Sequence, residues 1–149
     1  MTGRYIQSYS VGETFVTASG SLSEEKVVSF ALDYDPQAIH TDKTYAENGP
    51  FNGIIASGFQ TVAYSFRLFL DLGLFVDVSL AGPGMDEIRW VQPVRPDDSL
   101  TSHVTVEEAR RSRSKPDRGV LRLSFDVRNQ HGDTVITYKS TTMIKAEPE

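Results

Sequence analysis

From Leu121 to Val127 the chain alternates without a break: Leu121, Leu123, Phe125 and Val127 are apolar, and Arg122, Ser124 and Asp126 between them are not. Successive side chains of an extended strand point to opposite faces, so this pattern demands a sheet with one face on a core and one in water. Weaker strand patterns run over 85–92, 99–108 and 134–145, with another near 13–18. Asn129-Gln130-His131-Gly132-Asp133 reads as the hairpin turn joining the last two strands, which makes His131 an exposed turn residue. The sheet is therefore antiparallel, and something apolar must cover its inner face.

One segment can do so. Between Gly58 and Gly73, Phe59, Val62, Ala63, Phe66, Phe69 and Leu70 recur at helical spacing, which predicts a long helix with a broad buried face. Ser57-Gly58 marks its start, and Gly73 suits a left-handed cap at its end. Its aromatic stripe reads as core. A loop with Gly82-Pro83-Gly84 follows, and Ala146-Glu147-Pro148-Glu149 reads as a frayed tail. A chain of 149 residues that is 39% hydrophobic can bury one sizeable core, so one domain over 1–149 is expected. Its class is α+β, an antiparallel sheet curled around a central helix.

Composition narrows the chemistry. Without cysteine there is no disulfide framework or thiolate metal site, and the histidines at 40, 103 and 131 lack ligand spacing, so no metal is expected. The first residues lack the apolar stretch of a signal peptide, and no apolar run reaches membrane-spanning length. A soluble, cytoplasmic protein with no membrane partner is the expectation. A formal net charge of −5 argues against nucleic acid as a partner. The exception is local: Arg110-Arg111-Ser112-Arg113-Ser114-Lys115-Pro116-Asp117-Arg118 carries five basic residues and one acid. It reads either as a solvated loop between strands or as a phosphate-recognising patch in which Arg111 and Arg113 bind a phosphorylated carrier.

The reactive chemistry sits in Asp35-Pro36-Gln37-Ala38-Ile39-His40-Thr41-Asp42. A carboxylate stands five residues before an imidazole, and Pro36 makes the chain between them turn rather than extend. Both groups can then face one cavity and handle one water as an acid/base pair. The Gly58 N–H, at the start of a helix, offers a site for negative charge developing on an oxygen. The plainer readings are a turn-stabilising Asp35 and a structural His40, with Asp42 capping a short helix from Lys43.

These residues carry a family resemblance. The chain resembles the MaoC-like dehydratases, relatives of the R-specific enoyl-coenzyme A hydratases: Asp35 and His40 match the catalytic pair, and Ser57-Gly58 the oxyanion turn. Val91-Gln92-Pro93-Val94-Arg95-Pro96-Asp97-Asp98-Ser99-Leu100 is similar to the family's strand entry, and residues 118–132 to its final hairpin. The resemblance implies a hotdog fold and reversible hydration of a trans-2-enoyl thioester. Asp35 would be the base, His40 the proton donor to the α-carbon, and the Gly58 N–H the oxyanion donor. Ser57 and Ser65 would bind substrate, the latter as the nearest match to the serine that supports the site on the family's helix. It also implies an acyl-coenzyme A substrate, no cofactor beyond the coenzyme A of that substrate, and a homodimer or trimer of dimers. Residues 45–51 and 73–84 are expected to shape the acyl pocket. Gln37 and Ala38 stand where the hydratases have Asn and Pro, which leaves acyl specificity open. A hotdog thioesterase and a noncatalytic acyl-thioester binding module are the alternatives.

Overall fold

A computed structural model describes residues 2–149. After a single 3-10 turn, Ile6–Ser8, come strand β1 (Thr14–Val16) and four helices: α1 (Glu24–Tyr34), α2 (Ala38–Thr41), α3 (Lys43–Glu47) and α4 (Gly58–Leu70). Strands β2 (Ser79–Trp90), β3 (Thr101–Arg111), β4 (Arg118–Arg128) and β5 (Thr134–Lys145) complete the chain. All five strands form one antiparallel sheet in the order β1-β3-β4-β5-β2. On β4 the alternation works as expected, with Leu121, Leu123, Phe125 and Val127 buried and the residues between them only half-buried.

Helix α4 lies on the inner face, and aromatic rings join the two. Phe66 and Phe69 sit 5.8 and 5.6 Å from Phe125, which stacks at 4.5 Å on Tyr138 of β5. Such pairs add to the area that they bury. The buried stripe of α4 differs from the one expected. Gln60, Thr61, Ser65, Leu68 and Phe69 face inward, whereas Phe59 is 65% exposed and Leu70 and Ala63 are also exposed. The polar members are mostly bonded: the Ser65 hydroxyl meets Tyr138 Oη at 2.8 Å, Thr61 Oγ1 donates to the Gly58 carbonyl at 3.0 Å and Gln60 Nε2 to that of Lys26 at 3.1 Å, while Gln60 Oε1 is buried without a partner among the described residues.

Two further expectations change, and one helix has no counterpart in the sequence reading. The helix α1 was not evident, because Val27 and Ala31 form a narrow buried stripe while Leu32 and Tyr34 lie exposed and blur the period. The available signal was its start, where Ser23 caps the Lys26 N–H ahead of Glu24 and Glu25. Gly82-Pro83-Gly84 is not a loop but part of β2, which pairs only with β5 and shifts register around it. An edge strand tolerates Pro and Gly, since its outer side has no ladder to complete. Nor is the tail wholly frayed: the Ala146 N–H donates to the Asp117 carbonyl and the Glu147 N–H to Gln7 Oε1. Asp42 does cap α3, and Gly73 does take a positive φ of 78° just past α4. No helix among the described residues is long and apolar enough to cross a membrane.

Candidate active site

Asp35 is the residue on which α1 ends. Its N–H closes the helix on the Ala31 carbonyl, and its φ of −153° turns the chain away. Gln37 then folds back to donate its N–H to the Asp35 carbonyl, and α2 begins, carrying His40 one turn later. Facing them, the buried segment Ile54–Ser57 runs extended between α2 and the β2–β3 connection, with Ile55 donating to the Ile39 carbonyl and Ala56 to that of Val94. It ends in α4, which brings Ser57 and Gly58 to the pair.

The contacts are specific. His40 Nε2 lies 3.3 Å from Asp35 Oδ2, with the two side chains 6% and 12% exposed. His40 Nδ1 is 2.6 Å from the Ile55 carbonyl oxygen, which can only accept, so Nδ1 carries a proton. A neutral ring therefore turns its Nε2 lone pair toward the carboxylate, and the 3.3 Å contact is attractive only with a proton between them. Asp35 is otherwise well supplied: Gln37 Nε2 donates to Oδ1 at 2.6 Å and Ser57 Oγ to Oδ2 at 2.7 Å. The Gln37 amide first, then the Ser57 hydroxyl, hold Asp35 below the usual carboxylate range. Burial works the other way, and the imidazole adds to the lowering.

Ser57 thus has a different task from the capping one implied by its place before the helix. Its hydroxyl serves Asp35 and makes no cap bond, and the Gly58 N–H has no acceptor among the described residues. That leaves a helix N-terminal donor open beside the pair. Asp35, Gln37, His40, Gly58, Thr61 and Gln92 border one cavity of about 480 Å3, whose other walls are apolar, Phe51, Ile55, Phe59, Trp90, Val91 and Val94 among them.

Not every expected residue is there. Ser65 is buried against Tyr138 and does not border the cavity. Residues 73–84 do not line it either; Phe75 and Val78 lie in the core, and of 45–51 only Phe51 reaches the cavity. Arg111 and Arg113 lie at the opposite end of the sheet. Trp90 pairs with Ile136 and Arg111 with Gly119, which pairs with Ile144, so about 26 Å of strand separates the two ends. Arg111 donates to the Pro116 carbonyl, and Arg113 is exposed. What the sequence reading missed is Gln37 and Trp90. Gln37 could have been found from its position two residues after the acid; Trp90 had no local signal.

Known proteins resemble this chain along nearly its whole length. The model of the MaoC like domain matches residues 7–128. The uncharacterized protein YdeM of Bacillus subtilis is 35% identical over 140 residues, 94% of this chain and 98% of that protein. The crystal structure of the MaoC-like dehydratase from Rhodospirillum rubrum superposes with a TM-score of 0.88 at 31% identity, covering 99% of this chain and all of the other. The (R)-hydratase from A. caviae, at 24% identity, shares the fold with a TM-score of 0.74 over 95% and 99% of the two chains. A sheet wrapped on one long helix, together with these matches, makes the fold a hotdog and the chain a member of the MaoC-like domain family.

Proposed function

We propose that the protein catalyses the reversible hydration of an enoyl thioester, with coenzyme A as the carrier. The observation that carries this reading is the Asp35 Oδ2–His40 Nε2 contact, set in an apolar cavity beside the unpartnered N–H of Gly58. With the shared proton on His40 Nε2, the pair already holds both functions, an ionised carboxylate and a proton donor. Asp35 takes one proton from water as its oxygen bonds to the β-carbon, and His40 delivers its proton to the α-carbon. The thioester oxygen gains negative charge in between and is met by the Gly58 N–H, where a preformed donor costs no reorganisation. The proton left on Asp35 returns to His40 Nε2 across their direct contact, so the cycle closes without another group. Ser57 and Gln37 keep the carboxylate aimed and ionised throughout.

The working form is a homodimer. β2 is a twelve-residue edge strand with one partner, and Leu80 and Met85 stand exposed along it. Pairing with a second copy removes that liability. A panel of enoyl thioesters tests the function. Purified protein is expected to hydrate at least one of them without releasing thiol; thiol release without hydration would instead indicate a thioesterase, and saturable binding with neither a binding module.

A further inference from the structure

Gly58 begins α4 with no side chain, and Trp90 occupies the space one would need. A Cβ there would stand 2.5 Å from Trp90 Cε2 and 3.0 Å from Cδ1, and nearer still to Nε1. No real Cβ tolerates such contacts, and the obstruction is a rigid ring rather than a flexible tip. The indole also meets Phe59 edge-on, with centroids 6.3 Å apart. Its backbone is set by an irregularity in β2: the register with β5 shifts between Asp86 and Arg89, and Glu87 takes a φ of 53°. Beyond it, the Val91 and Gln92 N–H groups both donate to the Val135 carbonyl. The strand end is thereby fixed with the ring turned onto the helix start. Half of Trp90 stays exposed, and its indole borders the same cavity as Asp35 and His40.

We propose that Trp90 is the residue that determines acyl specificity: its indole, seated on Gly58, is the wall that an acyl chain meets beside the reacting carbons. The inference rests on the thioester-hydratase reading for the identity of the ligand, but its geometry does not depend on turnover. A flat, rigid wall at that point favours slender, unbranched acyl groups, because a bulkier one would have to displace the ring from Gly58 and Phe59. Replacing the ring by a small side chain opens room there and leaves short chains loosely held.

Trp90 is the only tryptophan in the chain, so its emission reports the cavity directly. Titrating the wild-type protein with saturated short- and long-chain acyl-coenzyme A thioesters is expected to change that emission saturably. Calorimetric titration of the same thioesters, alongside hydration kinetics on enoyl counterparts, then compares wild type with Trp90→Phe and Trp90→Ala. Trp90→Ala is expected to lose roughly 10-fold or more in binding and kcat/KM for short straight chains, while bulky or branched chains lose little or gain. Trp90→Phe, which keeps a flat apolar face, is expected to hold the wild-type order of preference, and circular dichroism with thermal unfolding checks that both variants fold. If no enoyl thioester is hydrated but emission and the binding order behave as described, the hydratase reading falls and the wall stands. An equal loss across all chains in Trp90→Ala, or emission unmoved by saturating thioester, overturns the wall even if hydration is observed.

Discussion

At the scale of single residues, Asp35 concentrates the chemistry. Gln37 and Ser57 both donate to it and depress its pKa, so the folded protein binds its proton less readily than the unfolded chain does. A depressed carboxylate contributes stability above its unfolded pKa of about 3.9, and that contribution is lost as pH falls through the folded value. Urea unfolding of wild type and Gln37→Ala, which lacks the bond that lowers Asp35 most, is therefore expected to show a stability advantage of wild type near neutrality that shrinks as pH falls below about 5. An advantage that did not shrink there would place the titrating group elsewhere. Gly58 is legible in the sequence as a helix-start glycine with an N–H to offer, but the reason that it lacks a side chain is not. In the structure the space belongs to Trp90, thirty-two positions away, which no local spacing could reveal. Gly58→Ala keeps the N–H, but its Cβ would collide with the indole and push the donor out of place, so it is expected to lower kcat by about 10²-fold in wild type and by far less in a Trp90→Ala background. Additive losses would return the glycine to the substrate.

Among the elements, the strands were the most legible and the helices the least. β5 falls on Thr134–Lys145 as its alternation predicts, and Asn129 ties the hairpin before it by accepting from the His131 and Asp133 N–H groups. An alternating strand announces its two faces within a few residues, whereas α4 hides its inward face behind Thr61, Ser65 and Gln60 and spends Phe59 on the cavity rim. Tertiary bonds such as Ser65–Tyr138 make those polar residues admissible inside, and a hydropathy period cannot register them. The helix is held to the sheet by Phe69, fully buried among Phe15, Phe66, Phe75 and Phe125. Phe69→Ala is expected to cost about 3–5 kcal/mol in chemical denaturation, the range for an aromatic removed from a packed core. Leu70→Ala, at an exposed position one residue on, is expected to cost under about 1 kcal/mol, and equal losses would mean that the helix does not pack by this face.

Across the whole molecule, the sheet sets the distances that function must respect. Its two ends are separated by the length of β5, so the cavity at Trp90 and the basic hairpin at Arg111–Arg118 cannot meet within one chain. The sequence makes the hairpin visible and says nothing of its distance from Asp35, which is a property of register. The same register leaves β2 as a long, largely exposed edge. Sedimentation of the purified protein is expected to give a species of twice the 16.6 kDa chain mass or a multiple of it, and a lysine at Met85 on that edge to shift it toward the monomer. The central claim, that Asp35 and His40 work one water between them, is tested most directly by the turnover of Asp35→Asn and His40→Ala on the best enoyl thioester, with folding checked by circular dichroism. Each is expected to lose about 10²–10⁴-fold in kcat, the range for removing a general acid or base. A folded His40→Ala that hydrates at the wild-type rate would contradict it.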